Sequence, residues 1–341
     1  MYKMKKPFLL ILLSFILGAV IFVFLGRWIG WEEIGKAFEV FTGWQGLVIV
    51  ILTFLIILLG SLRWKTILNS EDITISFFQL LKMYLGGYAI MYMFPTVLLA
   101  GEVFRVYGLG KKKNLSWSKT AASVIIERIL EWTINLSVVV LGLCFFLFKK
   151  WFWPKELLIV FGAAFLFFSL ALIYFYSNIL TKRSIVHTIV KKFSGKEISE
   201  NSGFLEVENM VFNFFRVQNP AAYKGFLISL FRAGIMQLRV WLLIWFLGAN
   251  VGFLNSFAVL GFSYISGMVP IPTSLGSHEA IQAAAFVSIG LTASMAAAFT
   301  LIIRAAEVLV SSFGLVYIIK TGFNLMGDKF FLGKNENKQD S

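Results

Sequence analysis

The hydrophobic residues of this chain fall into long continuous runs, without the strict alternation of a half-buried strand. The runs cover residues 8–25, 46–62, 77–109, 119–147, 157–177, 224–247, 257–290 and 292–319. Most are close to the ~20 residues that a helix needs to cross a bilayer. The pattern predicts an all-α polytopic membrane protein.

Two of these runs, 77–109 and 257–290, are too long for one crossing and too short for two. Pro95 interrupts the first, and Pro270, Pro272 and Gly276 interrupt the second. Proline removes a helical hydrogen bond and clashes with the preceding turn, so a helix is expected to break at these positions. We therefore predict that each run forms a re-entrant helical hairpin.

The distribution of lysine and arginine favours these hairpins over single crossings. With hairpins, 20 cations fall in cytoplasmic segments and five fall outside, whereas single crossings divide them 12 to 13. Membrane proteins concentrate positive charge in their cytoplasmic loops. The sequence thus predicts six full transmembrane helices plus two re-entrant hairpins, in the plasma membrane, with both termini cytoplasmic.

The predicted spans form a single integral membrane domain over residues 1–320, followed by a polar cytoplasmic tail, 321–341. Its two halves are approximately 46–147 and 224–320, joined by an amphipathic cytoplasmic loop, 181–223. In that loop, apolar residues at helical spacing alternate with lysine and arginine, as in helices that lie on an anionic membrane surface. The tail is expected to be too short to fold alone.

Composition excludes several functional classes. The chain is 58% hydrophobic and only 14% charged, with a mean hydropathy of +0.81, so lipid must be its main solvent. One cysteine and two histidines make a disulfide framework or a metal site unexpected, and no cofactor is predicted. The net charge of +13 indicates topology and contacts to anionic headgroups rather than nucleic-acid binding.

Eleven charged residues lie inside the apolar runs. They are Lys82, Arg105, Arg128, Arg232, Arg239, Arg304, Glu102, Glu127, Glu131, Glu279 and Glu307. Unpaired, each would cost roughly 2.5–3.5 kcal/mol at the bilayer centre, on the order of 30 kcal/mol together. We therefore expect them to pair or to line a wet cavity. Lys82 and Arg232 are predicted to snorkel to the cytoplasmic interface.

The spacing of these charges repeats along the chain. Each half has a proline, a glutamate seven positions later, and then an Arg-x-x-Glu motif. These residues are Pro95, Glu102, Arg128 and Glu131, and then Pro272, Glu279, Arg304 and Glu307. Upstream, an arginine precedes a tyrosine by 25 positions in both halves, at Arg63 and Tyr88 and at Arg239 and Tyr264. The pattern predicts an inverted-topology repeat whose broken helices meet near the midplane.

The local geometry supports pairing within each motif, because i and i+3 share one helix face. Arg128 and Glu131 are therefore expected to contact each other, as are Arg304 and Glu307. Such pairs can also be purely structural, locking helices together without binding a substrate. His278, beside Glu279, is read as a packing residue.

The chain resembles the flippase-like membrane domain family that is named for the transmembrane part of lysylphosphatidylglycerol synthases. The resemblance rests on Arg63-Trp64, Gly86-Gly87-Tyr88, Pro95, Gly101-Glu102-Val103-Phe104-Arg105, Glu127-Arg128, Glu131, Pro270-Ile271-Pro272 and Gly276-Ser277-His278-Glu279. It implies a protein that moves or binds anionic or polyprenyl-linked lipids. Larger members carry a soluble aminoacyl-transferase domain, whose activity is expected to be absent here.

These observations favour a flippase or scramblase-like protein that works without ATP, since no Gly-x4-Gly-Lys-Ser/Thr motif is present. The lipid headgroup is predicted to bind Arg105, Arg128 and Arg304, balanced by Glu102, Glu127, Glu131, Glu279 and Glu307, with Arg63 and Arg239 nearby. Two alternatives stay open. One is a non-transporting partner of a separately encoded lipid-modifying enzyme. The other is an intramembrane enzyme that uses paired glutamates as acid and base.

Overall fold

The computed structural model describes residues 31–93, 99–148, 155–181, 183–194, 202–268 and 277–336, and these residues are helical with short connections. The twelve helices within those ranges are α1 (Trp31–Thr42), α2 (Trp44–Ser70), α3 (Phe77–Met93), α4 (Ala100–Lys113), α5 (Trp117–Phe148), α6 (Lys155–Thr181), α7 (Ile185–Ser194), α8 (Gly203–Phe214), α9 (Pro220–Phe246), α10 (Ser256–Met268), α11 (Ser277–Ser288) and α12 (Ala293–Glu336). The predicted first span, 8–25, lies outside the described residues, as do Pro95, Pro270, Pro272 and Gly276.

Three helices of the described ranges are long and apolar enough to cross a bilayer. They are α2, α9 and the part of α12 that covers Ala293–Lys320. Helices α6 and α7 form a bent pair, at 113°, that makes a fourth if it is counted as one span. The predicted all-helical membrane fold is confirmed, and the count of six crossings with two re-entrant hairpins stays a prediction.

Helix α2 extends well past the end of its apolar run. The run was expected to end at residue 62 and to leave Arg63 in a cytoplasmic loop, but the helix continues to Ser70. Arg63 is fully buried, so its assignment to the loop was wrong. Because protein groups pair with this charge, as described below, it does not force the helix to end where the hydropathy falls.

The two long proline-containing runs each form a pair of helices separated by a break. In the first run, α3 and α4 pack together where Gly87 faces Gly101, and a Cβ on Gly87 would lie 2.8 Å from the Gly101 carbonyl oxygen. In the second run, α10 and α11 pack through Ala258, Phe262, Ile281 and Ala285. The prediction that both runs are interrupted therefore agrees with the helix boundaries.

The helices of the two halves pack against each other in equivalent combinations. Helix α2 lies along α9, α5 lies along α10, and α12 lies along α3. A Cβ on Gly142 of α5 would approach the Phe257 carbonyl oxygen of α10 to 2.7 Å, and one on Gly314 of α12 would overlap the Leu85 carbonyl of α3. Close backbone contact between small residues is how helices associate in lipid, where no hydrophobic force drives them together.

The cytoplasmic loop predicted over 181–223 contains two short helices, α7 and α8. The amphipathic pattern predicts that such helices lie on the membrane surface, but α8 packs its apolar face against protein. Glu208 of α8 accepts hydrogen bonds from the backbone N–H groups of Ile185 and Val186, at 2.6 and 2.9 Å, and so caps the start of α7. Helix α8 buries Val211 and Phe214 in a cluster with residues of α5, so its apolar face contacts protein. After residue 320, α12 continues as a helix to Glu336, since extending an existing helix needs no new nucleus.

Candidate functional site

Seven charged side chains meet between the helices of the first half and α9. We call this set the ion cluster: Arg63, Glu102, Arg105, Glu127, Arg128, Glu131 and Arg232. They come from α2, α4, α5 and α9. Four arginines and three glutamates give the cluster a formal charge of +1. Its members are mutually paired, which reduces the cost of their burial.

Glu127 lies at the most deeply buried point of the ion cluster, with its side chain 0% exposed. One carboxylate oxygen accepts a hydrogen bond from Arg63, and the other accepts one of 2.9 Å from Arg105. The Tyr84 hydroxyl donates to the first oxygen at 3.2 Å. Three donors from three helices therefore converge on this carboxylate.

Glu131 lies one turn after Glu127 on α5 and binds a partly different set of arginines. Its oxygens lie 3.0 Å from Arg63 Nη2, 3.1 Å from Arg128 Nη1 and 2.8 Å from Arg232 Nη1. The predicted i, i+3 pair of Arg128 and Glu131 is thus present. The contact to Arg232 ties the first half to α9, so Glu131 connects the two halves.

Arg105 is held in place by aromatic rings as well as by charge. Its guanidinium lies 4.2 Å from the centroid of Trp64 and 4.5 Å from that of Tyr84. Trp64 is itself fixed by a hydrogen bond of 3.1 Å from its indole nitrogen to Ser123. Cation–π contacts of this kind are strongest when they are desolvated, as they are here.

The close approach of α3 and α4 positions the first turn of α4. Helix α4 begins after Leu99, whose φ of 70° lies in the left-handed region, and Glu102 and Arg105 follow one turn apart. Because glycines face each other at 87 and 101, α3 can approach closely enough for Tyr84 and Arg105 to reach the same carboxylate. Negative charge is also favourable in the first turn of a helix, where Glu102 lies.

A small polar cavity lies against the ion cluster. Its volume is about 50 Å³, and its lining includes Glu102, Arg105, Arg128, Glu131 and Arg232, together with Tyr84 and Tyr88. This volume has room for water, which needs at least ~10–15 Å³ per molecule. It is too small to enclose a phospholipid headgroup, so a lipid could bind here only if the helices separate.

Within the described residues, polar contacts of the second half mirror contacts of the first. Arg239 of α9 lies 3.5 Å from Glu307 of α12, as Arg63 of α2 lies 3.0 Å from Glu131 of α5. The two arginines are separated by the same number of positions along the chain as the two glutamates. The repeated spacing noted in the sequence is therefore repeated in these contacts.

Two further hydrogen bonds cross between the halves in a reciprocal way. Arg63 donates to Ser229 of α9 at 3.1 Å, and Arg239 donates to Thr53 of α2 at 3.0 Å. Thr53 and Ser229 each stand ten residues before the arginine of their own half. As residue numbers rise from 53 to 63 along α2, their partners fall from 239 to 229, so α2 and α9 run antiparallel.

The mirrored arrangement is incomplete at two positions. Gln282 follows Glu279 by three residues, as Arg105 follows Glu102, and Ile303 precedes Arg304 as Glu127 precedes Arg128. Gln282 is buried and donates a hydrogen bond to Ser263. The Arg105–Glu127 ion pair of the first half thus has a glutamine and an isoleucine at the equivalent positions.

The structure brings most of the predicted site residues together. Arg63, Glu102, Arg105, Glu127, Arg128 and Glu131 form the ion cluster with Arg232, while Arg239 and Glu307 form the second pair. The backbone carbonyl of Arg304 accepts a hydrogen bond of 3.4 Å from Tyr92. Glu279 falls in the first turn of α11, and its side chain lies outside the described part of the chain, as does that of His278.

The sequence analysis misplaces two cluster residues, Arg63 and Arg232, and does not identify three polar partners of the arginines and glutamates. Arg232 is predicted to snorkel to the interface, but it binds Glu131 and its side chain is only 13% exposed. The three missed partners are Tyr84, which binds Glu127, Ser229, which binds Arg63, and Thr53, which binds Arg239. Extending the repeat upstream by ten residues from Arg63 and Arg239 would have found Thr53 and Ser229.

The positive charge of the ion cluster is suited to holding an anion. Every cluster carboxylate contacts at least one arginine. Among the described residues, no group of three or more histidine, cysteine, aspartate or glutamate side chains could hold a metal ion. The positive surplus of the cluster is its main chemical property.

Comparison with known proteins places these features in a family. Residues 11–314 match the family described as the lysylphosphatidylglycerol synthase TM region. A UPF0104 membrane protein of Methanocaldococcus jannaschii is 24% identical over 89% of this chain and 90% of the relative. A UPF0104 membrane protein of Pyrococcus horikoshii is 26% identical over 88% of this chain and 92% of the relative. No solved structure gives a significant match.

Proposed function

Because the chain belongs to the family of the lysylphosphatidylglycerol synthase TM region, we propose that it is a lipid-translocating membrane protein. Its substrate is an anionic or polyprenyl-linked lipid, which it moves between leaflets without hydrolysing ATP. The observation that carries this proposal is the positively charged ion cluster, buried between both halves and lining a polar cavity. A membrane protein that only needed to fold could use apolar residues there at lower cost.

The depth of the ion cluster supports a site near the middle of the bilayer. Arg128 lies eleven residues into α5 after Trp117, which corresponds to about 16 Å along a helix axis. That is about half of the ~30 Å hydrocarbon core. Trp117 follows Lys111–Lys113, and tryptophan and lysine are typical of the membrane interface. With Trp117 at the cytoplasmic surface, the cluster therefore reaches the midplane.

An inverted-topology repeat supplies the mechanism of this proposal. The antiparallel course of α2 and α9, and the reciprocal bonds Arg63–Ser229 and Arg239–Thr53, are what a two-fold axis in the membrane plane produces. Rocking one half against the other about this contact widens the polar cavity toward either side. The headgroup then binds the arginines while the lipid tails stay in the bilayer.

Transport of a labelled lipid tests the proposal directly. We expect the purified protein, in vesicles, to speed the exposure of fluorescent phosphatidylglycerol to a membrane-impermeant reductant. Arg128→Ala and Arg304→Ala should slow this rate roughly tenfold or more, the effect of about 1.4 kcal/mol on the barrier. Arg183→Ala serves as the control, because Arg183 is exposed in the connection between α6 and α7 and is not part of the ion cluster. Wild-type rates in both Arg128→Ala and Arg304→Ala would contradict the mechanism.

A further inference from the structure

An apolar groove of about 560 Å³ lies between α4, α5 and α6, beside the ion cluster. Val103 and Val106 of α4, Ile125 of α5 and Leu172 of α6 are among the residues that line it. Val103 is 65% exposed and Ile125 is 41% exposed, so the groove opens on the surface of the helices. In the bilayer orientation proposed above, that surface faces hydrocarbon.

The two ends of the groove differ. Trp117 lines the end that lies at the start of α5, the end we place at the interface. At the other end, Trp132 stacks on Phe168 with ring centroids 4.4 Å apart, and both residues line the groove. A hydrocarbon chain entering from the interface would therefore run along α5 toward Trp132.

Glu102 and Arg128 are the two charged side chains in the lining of the groove, and both also line the polar cavity. Glu102 Oε1 lies 2.8 Å from Arg128 Nε, but the two atoms lack the alignment of a hydrogen bond. This ion pair therefore separates the groove from the cavity. Electrostatic attraction, without a hydrogen bond between these two atoms, holds the two side chains together. A ligand that replaced Glu102 at Arg128 would connect the two spaces.

The charge of the ion cluster indicates which ligand group fits. Among the described side chains, four arginines face three glutamates, so the cluster has one positive charge in excess. Four guanidinium nitrogens of cavity-lining arginines are buried and have no hydrogen-bond acceptor within the described residues: Arg105 Nε and Nη2, Arg128 Nε and Arg232 Nε. Arg105 as a whole is only 2% exposed. A phosphodiester supplies one negative charge and several acceptor oxygens.

We propose that the apolar groove holds one acyl chain of a diacyl phospholipid with an acidic phosphate, and that the Glu102–Arg128 pair is the gate its phosphate opens. This inference rests on the proposed function and names its substrate class and its entry path. A free anion leaves the apolar groove unfilled, and a neutral hydrocarbon leaves the charge of the cluster uncompensated. Only an amphiphile with one acidic group matches both spaces.

Photolabelling of the full chain in lipid nanodiscs tests the groove. The probes are phosphatidylglycerol and phosphatidylcholine that carry the same diazirine in one acyl chain, and labelled peptides are mapped by mass spectrometry. We expect phosphatidylglycerol to label residues 117–132 in preference to phosphatidylcholine. Ile125→Trp, which fills the groove, should remove this labelling. Leu141→Trp is the matched control, since Leu141 is an exposed aliphatic residue of the same helix outside the groove.

The gate is tested by titrating phosphatidylglycerol into phosphatidylcholine nanodiscs. Glu102→Gln removes the competitor for Arg128, so half-maximal labelling should occur at a roughly tenfold lower phosphatidylglycerol fraction. Glu206→Gln, at an exposed position on α8, should leave the titration unchanged. Equal labelling by the two lipids, or an unchanged titration in Glu102→Gln, would overturn the proposal.

The same variants separate this inference from the proposed function. If the wild-type protein is labelled in the groove but does not accelerate lipid exchange in vesicles, the site stands and translocation fails. If Ile125→Trp abolishes groove labelling but transports at the wild-type rate, the lipid enters elsewhere. That second result would overturn the groove as an entry path while leaving translocation intact.

Discussion

At Glu127 a single carboxylate accepts hydrogen bonds from two arginines and a tyrosine, with no contact to solvent. Breaking a buried ion pair by removing one partner is far more destabilising than replacing the whole pair with apolar residues. The stability of the ion cluster therefore depends on each carboxylate separately. Glu127 is the member where this dependence should be strongest.

We expect Glu127→Gln to lower the free energy of unfolding by about 3–5 kcal/mol, because Arg63 and Arg105 lose their shared counter-charge. The measurement is the thermal unfolding midpoint of the purified protein in detergent. Glu206→Gln makes the same chemical change at an exposed residue and should leave the midpoint nearly unchanged. Equal midpoints for the two variants would show that the buried carboxylate is not needed for stability.

The spacing of charged residues predicts some contacts of single side chains, whereas the hydropathy runs predict few of them. The repeated motif predicted the contact between Arg128 and Glu131, because i and i+3 positions share a helix face. Arg63 is misplaced because the apolar run is expected to end at its first charge, and Arg232 because an arginine near the end of a run is expected to reach the interface. The partners of these arginines come from other helices, and a hydropathy run carries no information about them.

At the scale of helices, the contact between α3 and α4 sets the geometry of the ion cluster. A Cβ on Gly101 would overlap the Gly87 carbonyl, which belongs to backbone and cannot rotate away. Any side chain at Gly101 must therefore separate the two helices. Since Glu102 and Arg105 follow directly on α4, their contacts to α5 would move with it.

We expect Gly101→Ala to reduce both the rate of lipid exchange and the unfolding midpoint. Gly108→Ala, in contrast, should raise the unfolding midpoint. Gly108 is on the same helix, and a Cβ there would meet nothing within 4 Å. Replacing a helical glycine with alanine at such a position stabilises by about 0.5–1 kcal/mol. The measurement is the same thermal scan, together with the vesicle assay. A stabilising effect of Gly101→Ala would refute the close contact of α3 and α4.

Helix boundaries were predictable to the extent that apolar runs and prolines define them. Both proline-containing runs are interrupted, and the two loop helices form. The face that α8 presents to α5 was not predictable, because an amphipathic helix has the same pattern on a membrane surface as on a protein. The extension of α2 to Ser70 depends on the buried partners of Arg63, which no local pattern contains.

At the scale of the whole molecule, the antiparallel course of α2 and α9 predicts that their carboxyl ends lie on opposite faces of the membrane, because both helices are long enough to span. The two helices occupy equivalent positions in the predicted repeat. This arrangement distinguishes an inverted repeat from a parallel one, in which equivalent ends share a face. It can be tested without any transport assay.

We expect a cysteine at Ser70, the last residue of α2, to react with an impermeant thiol reagent from one side of the membrane only. A cysteine at Leu254, which follows α9, should react only from the other side. Both positions are exposed, and Cys144→Ser removes the one native thiol. The measurement is labelling of sealed cells or oriented vesicles before and after permeabilisation. Reaction of both cysteines from the same side would refute the inverted repeat.

Gln282 and Ile303 stand at the positions of the second half that are equivalent to Arg105 and Glu127, so this ion pair has no counterpart there. In the proposed mechanism the halves exchange conformations, and the second cannot rebuild the contacts that Arg105 and Glu127 make in the first. We therefore expect the two end states to differ in energy and one of them to predominate. The proposed carrier would still equilibrate lipid in both directions, as detailed balance requires. Its empty form would mostly face one leaflet, and lipids from that leaflet would bind first.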